Sequence, residues 1–172
     1  MLFDKIRKVK VLVFDVDGVL TDGKVLVTEN GDQLRTFNIR DGYALQLAVK
    51  REMPVVVITG GKSQGVLMRL SGLHVKHIFL GVNNKIKVLK EWLDDHRFNL
   101  DDVLYMGDDM PDLGVMKLVG MAACPADAIE EVKSISHYIS AREGGRGAVR
   151  DVIEKVLKLQ GKWDHENVVK SI

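Results

Sequence analysis

Residues 14–23 read FDVDGVLTDG, and they place two carboxylates, Asp15 and Asp17, at the end of the apolar run KVLVF. Side chains two positions apart on a regular strand share one face, so these two carboxylates would repel each other. Natural sequences break a local rule of this kind chiefly at functional sites. The pair therefore indicates a functional site at the end of the first predicted strand.

The rest of the chain alternates between apolar runs and helical periods. A hairpin is predicted over about residues 24–37, with arms KVLV and QLRTF around Asn30-Gly31. Further strands are predicted at VVVIT, HIFLG, VLYMG, MAAC and HYIS. Helices are predicted between Asp41 and Pro54, over residues 63–70, 84–93, 111–118 and 127–132, and at the amphipathic end of the chain, with apolar residues at 149, 152, 153, 156 and 157. This order predicts one α/β domain over residues 1–172, a doubly wound (Rossmann-like), mostly parallel sheet with helices on both faces and a small hairpin insertion after the first strand.

The composition excludes several partners. Lys and Arg (25) nearly balance Asp and Glu (24), so there is no basic field to attract nucleic acid or an anionic membrane. The single cysteine, Cys124, rules out an internal disulfide, and no apolar run approaches the length of a membrane span. With a start, MLFDKIRKVK, that has no apolar signal core, the chain is predicted to be cytoplasmic and to bind neither nucleic acid nor membrane.

Polar residues follow four of the predicted strands. Parallel sheets bind ligands beyond the carboxyl ends of their strands, where the strand order reverses. The residues at these ends are Asp15 and Asp17, Thr59 and Gly60, the segment from Gly81 to Lys85, and Asp108, Asp109 and Asp112. Each group alone has an ordinary explanation as a turn, a helix cap or a solvated charge. Together, carboxylates, a hydroxyl and a lysine at one sheet edge form a set suited to one cation and one phosphate.

Four of these stretches resemble, in order, the motifs of the haloacid dehalogenase superfamily of phosphohydrolases. They are FDVDGVLTDG, VITGG, Lys85 in NNK, and GDDMPD. The stretches FNIRDGYAL and GVNNK and the tail GGRGAVRDVIEKVLKLQGKW are similar to a small capless branch that acts on phosphorylated keto-deoxy sugar acids. Only about two dozen residues separate Asp17 from Asp41, which leaves room for a hairpin but not for a cap domain.

The resemblance implies a phosphomonoesterase mechanism. Asp15 would be the nucleophile that forms an aspartyl phosphate, and Asp17 the general acid and base. The cofactor would be Mg²⁺, held by the Asp15 carboxylate, the Asp17 backbone carbonyl and Asp108, which are ligands that a hard cation prefers. The remaining expected residues are Thr59, Gly60 and Lys85 on the phosphoryl group, and Asp109 and Asp112 in support, with Asp112 alternatively capping the helix that begins near Pro111.

The substrate implied is an eight-carbon keto-deoxy sugar acid 8-phosphate used in lipopolysaccharide synthesis. One position departs from the pattern, because the second motif of this branch usually reads Thr-Gly-Arg and this chain has Gly61. A related phosphatase for a nine-carbon sugar acid differs at the same place, so that substrate is the alternative. Lys62 or Arg69 is predicted to compensate for the missing arginine, whereas FNIRDGYAL and LQGKW favour the eight-carbon acid.

The resemblance also implies a homotetramer with the hairpins at its centre and the tail, about residues 144–172, closing a neighbour's site. Gly145 and Arg146 would then bind substrate, with the planar fork of Arg146 suited to a carboxylate. From spacing alone, a flexible Gly-rich turn before the last helix is the favoured explanation of this segment.

Two further classes share the expected fold. A phosphoacceptor signalling module also joins acidic residues, a threonine and a lysine around Mg²⁺, but it needs a phosphoaspartate that survives, and Asp17 is placed to activate water against it. A catalytically idle structural module would keep the fold, yet every reactive position is intact here.

Overall fold

The structure is a computed structural model that describes residues 2–163. Over these residues the strands are β1 (Val11–Phe14), β2 (Leu26–Val27), β3 (Gln33–Leu34), β4 (Val55–Ile58), β5 (His77–Phe79), β6 (Val103–Met106), β7 (Met121–Cys124) and β8 (Tyr138–Ile139). Six of them form a parallel sheet in the order β5-β4-β1-β6-β7-β8, and β2 pairs with β3 in an antiparallel hairpin. The predicted α/β fold and hairpin insertion are confirmed.

Helices cover both faces of this sheet. They are α1 (Leu2–Lys8), α2 (Ile39–Lys50), α3 (Gln64–Gly72), α4 (Lys85–His96), α5 (Met110–Met116), α6 (Glu130–Ile135) and α7 (Ala148–Leu159), with a 3₁₀ turn at Leu100–Asp102. None of the helices between residues 2 and 163 has both the length and the apolar character that a membrane span requires.

The central strand β1 shows why the sheet is buried on both sides. Leu12 and Phe14 face a core built with α1, α2, α3 and α7. Val11 and Val13 face the opposite core, which contains residues of α4, α5 and α6. Because side chains alternate along a strand, every residue of β1 is apolar and buried. Packing on both faces fixes where the strand ends lie.

The strand order reverses at β1, which lies between β4 and β6. Ligands of doubly wound sheets bind at such a switch point, beyond the carboxyl ends of the strands. The FDVDG stretch leaves β1 at this end, so the topology places its carboxylates in the crevice between the two halves of the sheet.

Several predicted boundaries differ from those observed. The helix predicted over 127–132 runs from Glu130 to Ile135, and the hairpin arms pair over only two residues each, since the arms lie mostly in solvent. The first helix, α1, was not predicted from the sequence. It buries mainly Ile6, so its seven residues carry too little apolar period to be recognised.

Candidate active site

Three carboxylates meet beyond the ends of β1 and β6. Oxygens of Asp15, Asp108 and Asp112 lie within 4.8 Å of one another. The Asp15 amide donates to the carbonyl of Met106 at 3.0 Å, which continues the β1–β6 pairing by one residue and holds the two loops together. The structure therefore joins the first and fourth sequence motifs into one acidic cluster.

Lys85, the first residue of α4, supplies the cation of this cluster. Its Nζ lies 2.9 Å from Asp15 Oδ1 and 2.7 Å from Asp112 Oδ1, and its side chain is buried. Burial works against the charged form, but the charges of Asp15 and Asp112 outweigh it and raise the pKa of Lys85. Lys85 is thus a buried ammonium between Asp15 and Asp112, and its predicted role as a phosphate ligand stays a prediction.

Asp112 connects the members of the cluster through hydrogen bonds. It is fully buried, and besides Lys85 it accepts hydrogen bonds from Tyr105 Oη at 2.7 Å and from the Asp108 amide at 3.1 Å. The cap of α5 is Asp109, whose carboxylate accepts from the Met110 amide at 2.7 Å. Of the two roles predicted for Asp112, the structure favours the supporting one, and the helix cap belongs to Asp109.

Tyr105 is a site residue that sequence reasoning missed. It lies within the buried strand β6, where an aromatic residue is expected to fill the core, and its hydroxyl is the only polar signal. Burial and the nearby carboxylate of Asp112 raise the pKa of Tyr105 well above its usual value, so the phenol stays protonated and donates to Asp112.

The cluster carries more negative charge than the protein neutralises. Burial raises the pKa of Asp15 to about 6, with Asp112 adding repulsion and Lys85 opposing it. Burial followed by repulsion from Asp15 and Asp112 raises the pKa of Asp108 to about 8. Among the described side chains, Asp108 Oδ1 is buried without a hydrogen-bond partner. Three carboxyl groups with one ammonium thus carry an excess of negative charge, which a bound divalent cation would neutralise.

The backbone of the FDVDG loop also fits a cation site. A Cβ atom on Gly18 would lie 1.9 Å from Asp108 Oδ2, and Gly18 has a φ of +86°, so only glycine lets the loop approach that carboxylate. Asp15 and Asp108, with the backbone carbonyl of Asp17 predicted as a third ligand, form the oxygen donor set that Mg²⁺ prefers. The residues present therefore fit the predicted metal.

Asp17 lies apart from the buried cluster and has its own partner. Its carboxylate is bound by Arg35, with Nε 2.6 Å from Oδ1 and Nη2 3.3 Å from Oδ2. Sequence reasoning missed Arg35, because the run QLRTF reads simply as a hairpin arm. A lone arginine in an exposed arm gives no signal that it turns back to a strand end.

The second motif forms a short turn beyond β4. Thr59 is buried, and its hydroxyl accepts a hydrogen bond from the Gly61 amide at 3.2 Å, while a Cβ atom on Gly60 would lie in ordinary contact, 3.7 Å from the Val82 carbonyl oxygen. Lys62 is exposed with its aliphatic stem beside Gly81, and Arg69 lies over Gly42 of α2. Neither position supports the prediction that Lys62 or Arg69 replaces the arginine missing at Gly61.

The Gly-rich segment docks on the FDVDG loop of its own chain. The Gly145 amide donates to the Val19 carbonyl at 3.0 Å, and the Gly145 carbonyl accepts from Asn38 Nδ2 at 3.2 Å. A Cβ on Gly144 would lie 1.8 Å from the Gly18 carbonyl oxygen. This contact gives Gly145 a structural role, so its predicted contact with substrate stays a prediction.

Arg146 faces a basic cavity beside this segment. The cavity has a volume of about 580 Å³, and its lining includes Arg40, Arg142, Arg146 and Arg150. The guanidinium of Arg146 is exposed and pairs with Glu143 at 3.2 Å. Its predicted role as a carboxylate ligand therefore requires that Arg146 leave a surface ion pair, which costs little. The part of the tail over residues 164–172 lies outside the described residues.

Comparison with known proteins decides the family. Residues 68–153 match the family model of haloacid dehalogenase-like hydrolases. The chain is also 38% identical over 160 residues to the 3-deoxy-D-manno-octulosonate 8-phosphate phosphatase KdsC of Escherichia coli K12, an alignment that covers 93% of this chain and 85% of that relative.

The chain belongs to the haloacid dehalogenase-like hydrolase family.

Solved structures of this family superpose on nearly the whole chain. The 3-deoxy-D-manno-octulosonate 8-phosphate phosphatase of Yersinia pestis has a TM-score of 0.91 at 33% identity and covers 94% of this chain and 87% of its own. The enzyme of Moraxella catarrhalis, solved with a magnesium ion, a phosphate ion and a KDO molecule, has a TM-score of 0.91 at 32% identity, with coverages of 95% and 94%. The resemblance inferred from the four motifs is confirmed.

Proposed function

We propose that this haloacid dehalogenase-like hydrolase is a Mg²⁺-dependent phosphatase that hydrolyses 3-deoxy-D-manno-octulosonate 8-phosphate to the free sugar acid and phosphate, in lipopolysaccharide sugar synthesis. The named relatives and the magnesium, phosphate and KDO bound to the Moraxella catarrhalis enzyme support this substrate. The observation that carries the chemistry is the buried Asp15, held by Lys85 beside an Asp108 oxygen that has no partner among the described residues.

Asp15 is the nucleophile. One of its carboxylate oxygens attacks phosphorus, the bond between phosphorus and the sugar oxygen breaks, and an aspartyl phosphate forms. Lys85 enters the reaction protonated, because the charges of Asp15 and Asp112 raise its pKa, and it stabilises the negative charge of the transferring phosphoryl group. Thr59 and the Gly60 amide are the predicted further donors to the phosphoryl oxygens. Mg²⁺, when bound by Asp15, Asp108 and the Asp17 carbonyl, neutralises charge at this centre.

Asp17 moves the protons. In the first step it donates a proton to the departing sugar oxygen, which leaves as an alcohol. In the second step the same carboxylate accepts a proton from water, whose oxygen attacks the aspartyl phosphate and releases inorganic phosphate and Asp15. One proton is thus given and one recovered, and Asp17 ends the cycle as it began. The general acid and base is more exposed than the nucleophile, which gives water and the leaving group access to it.

The first experiment measures phosphate release with and without Mg²⁺ from a panel of substrates. The panel contains the eight-carbon and nine-carbon keto-deoxy sugar acid phosphates and simple sugar phosphates. We expect Mg²⁺-dependent release with the highest kcat/KM on the eight-carbon acid. An absence of Mg²⁺-dependent release from every member would contradict the proposal and favour the idle structural module.

Because residue 61 is a glycine, the nine-carbon sugar acid 9-phosphate is the second candidate substrate. The space next to Gly61 contains Asp17, Thr59 and Arg35 rather than a long side chain at residue 61. Preference for the nine-carbon acid in the same panel would make this position the determinant of substrate length.

The assembly and location are proposed on narrower grounds. The hairpin exposes the apolar side chains of Val25, Leu26, Val27 and Leu34, and an exposed apolar patch on a two-stranded hairpin favours burial against another copy. We infer a homotetramer with the hairpins at its centre and the tail near a neighbour's site. A cytoplasmic location agrees with the single, buried and unpaired Cys124.

A further inference from the structure

The hairpin contributes a cation to the leaving-group side of the site. Arg35 follows β3, and its guanidinium contacts Asp17 through two parallel hydrogen bonds, Nε to Oδ1 at 2.6 Å and Nη2 to Oδ2 at 3.3 Å. The Arg35 side chain is 10% exposed, although the arm that carries it is mostly in solvent. A two-pronged contact of this kind fixes both the position and the plane of a carboxyl group.

The same guanidinium lies beside the second motif. A Cβ atom built on Gly61 would lie 3.9 Å from Arg35 Nη2 and 3.5 Å from Asp17 Oδ2. These are ordinary contact distances, so a side chain at residue 61 would start next to Arg35. The absence of a side chain at Gly61 therefore coincides with a guanidinium that reaches the same space from the hairpin.

The two site cations have separate tasks. Lys85 is engaged by Asp15 and Asp112 on the phosphoryl side. Arg35 contacts Asp17, the group that handles the proton of the sugar oxygen. An arginine keeps its charge at every relevant pH, so it does not exchange protons with Asp17. When Asp17 carries the proton that it donates, the protonated oxygen gives up its hydrogen bond from Arg35, and the other oxygen keeps its own.

We propose that Arg35 is the positioning residue for Asp17, and that it supplies from the hairpin the positive charge that residue 61 lacks. This inference rests on the proposed function, since it assumes that Asp17 protonates the leaving oxygen. Arg35 acts through Asp17 and is not itself a catalytic residue.

The proposal has a specific kinetic consequence. A sugar alkoxide is a poor leaving group and needs a well-placed acid, whereas p-nitrophenolate leaves without protonation. Misplacing Asp17 should therefore slow the first step for the sugar acid phosphate and leave it nearly unchanged for p-nitrophenyl phosphate. Damage to the fold or to the phosphoryl site would slow both substrates alike.

The experiment compares Arg35→Gln with Lys24→Gln. Lys24 is an exposed cation on the other arm of the hairpin, before β2. Release of the leaving group in a single turnover, at saturating Mg²⁺, isolates the first step. We expect Arg35→Gln to lose roughly 10- to 100-fold on the eight-carbon acid phosphate and less than about 3-fold on p-nitrophenyl phosphate, and Lys24→Gln to match the wild type on both. Arg35→Lys should recover part of the loss because it keeps the charge without the fork.

A second variant tests the link to Gly61. Adding Gly61→Arg to Arg35→Gln should restore at least about 5-fold of the lost rate on the sugar acid phosphate, since it returns a guanidinium to the same space. An unchanged rate in Arg35→Gln, an equal loss on both substrates, or no recovery with Gly61→Arg would each overturn the inference. A wild-type enzyme without sugar acid phosphatase activity would instead contradict the proposed function, and that result needs no variant.

Discussion

At the scale of single residues, the site is defined by crowding of like charges. Asp15, Asp108 and Asp112 share one small volume with one lysine, and the protein keeps them there although burial and repulsion raise the pKa of Asp15 and of Asp108. Such crowding destabilises a protein unless a ligand relieves it. The two aspartates of FDVDG can lie close together because each pairs with a different cation, Asp15 with Lys85 and Asp17 with Arg35.

Replacing Asp15, the proposed nucleophile, separates the effect on catalysis from the effect on folding. We expect Asp15→Asn to lower phosphate release at least about 10³-fold, because an amide cannot form the aspartyl phosphate. The metal-free variant should unfold at a temperature no lower than the wild type, since one repelling charge is gone. Phosphate release and thermal unfolding measure the two effects, with Asp95→Asn, an exposed change on α4, as the control. An active Asp15→Asn protein would refute the mechanism.

At the scale of elements, the N-terminus of helix α7 is capped by a side chain of helix α2. Its own N-cap, Gly147, has no capping side chain, whereas Asp41 of α2 accepts from the Gly147 amide at 3.2 Å and from the Arg150 amide at 2.7 Å. Orphan amides at a helix start need such acceptors. Asp41 therefore joins α2 to α7 and anchors the Gly-rich segment that packs on the FDVDG loop.

Removing this cap should weaken the fold. We expect Asp41→Ala to lower the free energy of unfolding by about 1–2 kcal/mol, because two amides at the start of α7 lose their acceptor. A loss of this size corresponds to roughly 2–8 °C in melting temperature for a chain of this length. Asp94→Ala, at the exposed end of α4, serves as control and should not lower stability. Equal stability of Asp41→Ala and the wild type in urea unfolding would show that the cap is unimportant.

At the scale of the whole molecule, metal binding and pH should act together on stability. In the folded protein the pKa of Asp15 is raised to about 6 and that of Asp108 to about 8, whereas both lie near 4 in the unfolded chain. Between these values the unfolded state has released protons that the folded state retains. The contribution of Asp15 and Asp108 to the free energy of unfolding of the metal-free protein therefore falls as the pH rises from about 4 to about 8.

Mg²⁺ should reverse this loss. Because the metal binds the ionised carboxylates, we expect saturating Mg²⁺ to raise the melting temperature by roughly 5–10 °C at pH 8 and by less at pH 6. Asp108→Asn should abolish most of the rise, and its metal-free form should be more stable than the wild type at pH 8. Thermal unfolding at both pH values, with and without Mg²⁺, tests this, and an equal rise at the two values would contradict it.

The proposed tetramer makes a separate prediction. Leu26 is 67% exposed on the hairpin, and a lysine there would be buried uncompensated in an interface. We expect Leu26→Lys to shift the protein from tetramer to smaller species in sedimentation velocity. Met68→Lys, at a similarly exposed apolar residue on α3, is the matched control and should leave the assembly intact. A wild type that sediments as a monomer would refute the assembly itself.

The sequence by itself determined the order along the chain of the strands and of the helices after α1, and it showed which polar residues follow the strand ends, namely Asp15, Asp17, Thr59, Lys85 and Asp108. These features depend on periodicity and on short local motifs, which are written along the chain. The sequence did not predict helix α1 or the ends of α6, because tertiary packing and not the local hydrophobic period determines where these helices form and end.

Only the tertiary structure decided which polar groups meet. Three pairs illustrate this: Tyr105 with Asp112, Arg35 with Asp17, and Asp41 with the start of α7. Their members lie 7 to 109 residues apart along the chain. Short motifs mark Asp17 and Asp112, but no local signal marks their partners, since a hairpin arginine or a core tyrosine has an ordinary explanation at its own position. Partner choice at that distance is set by how the helices and the hairpin pack over the sheet, and this is why the support of the site became visible only in the fold.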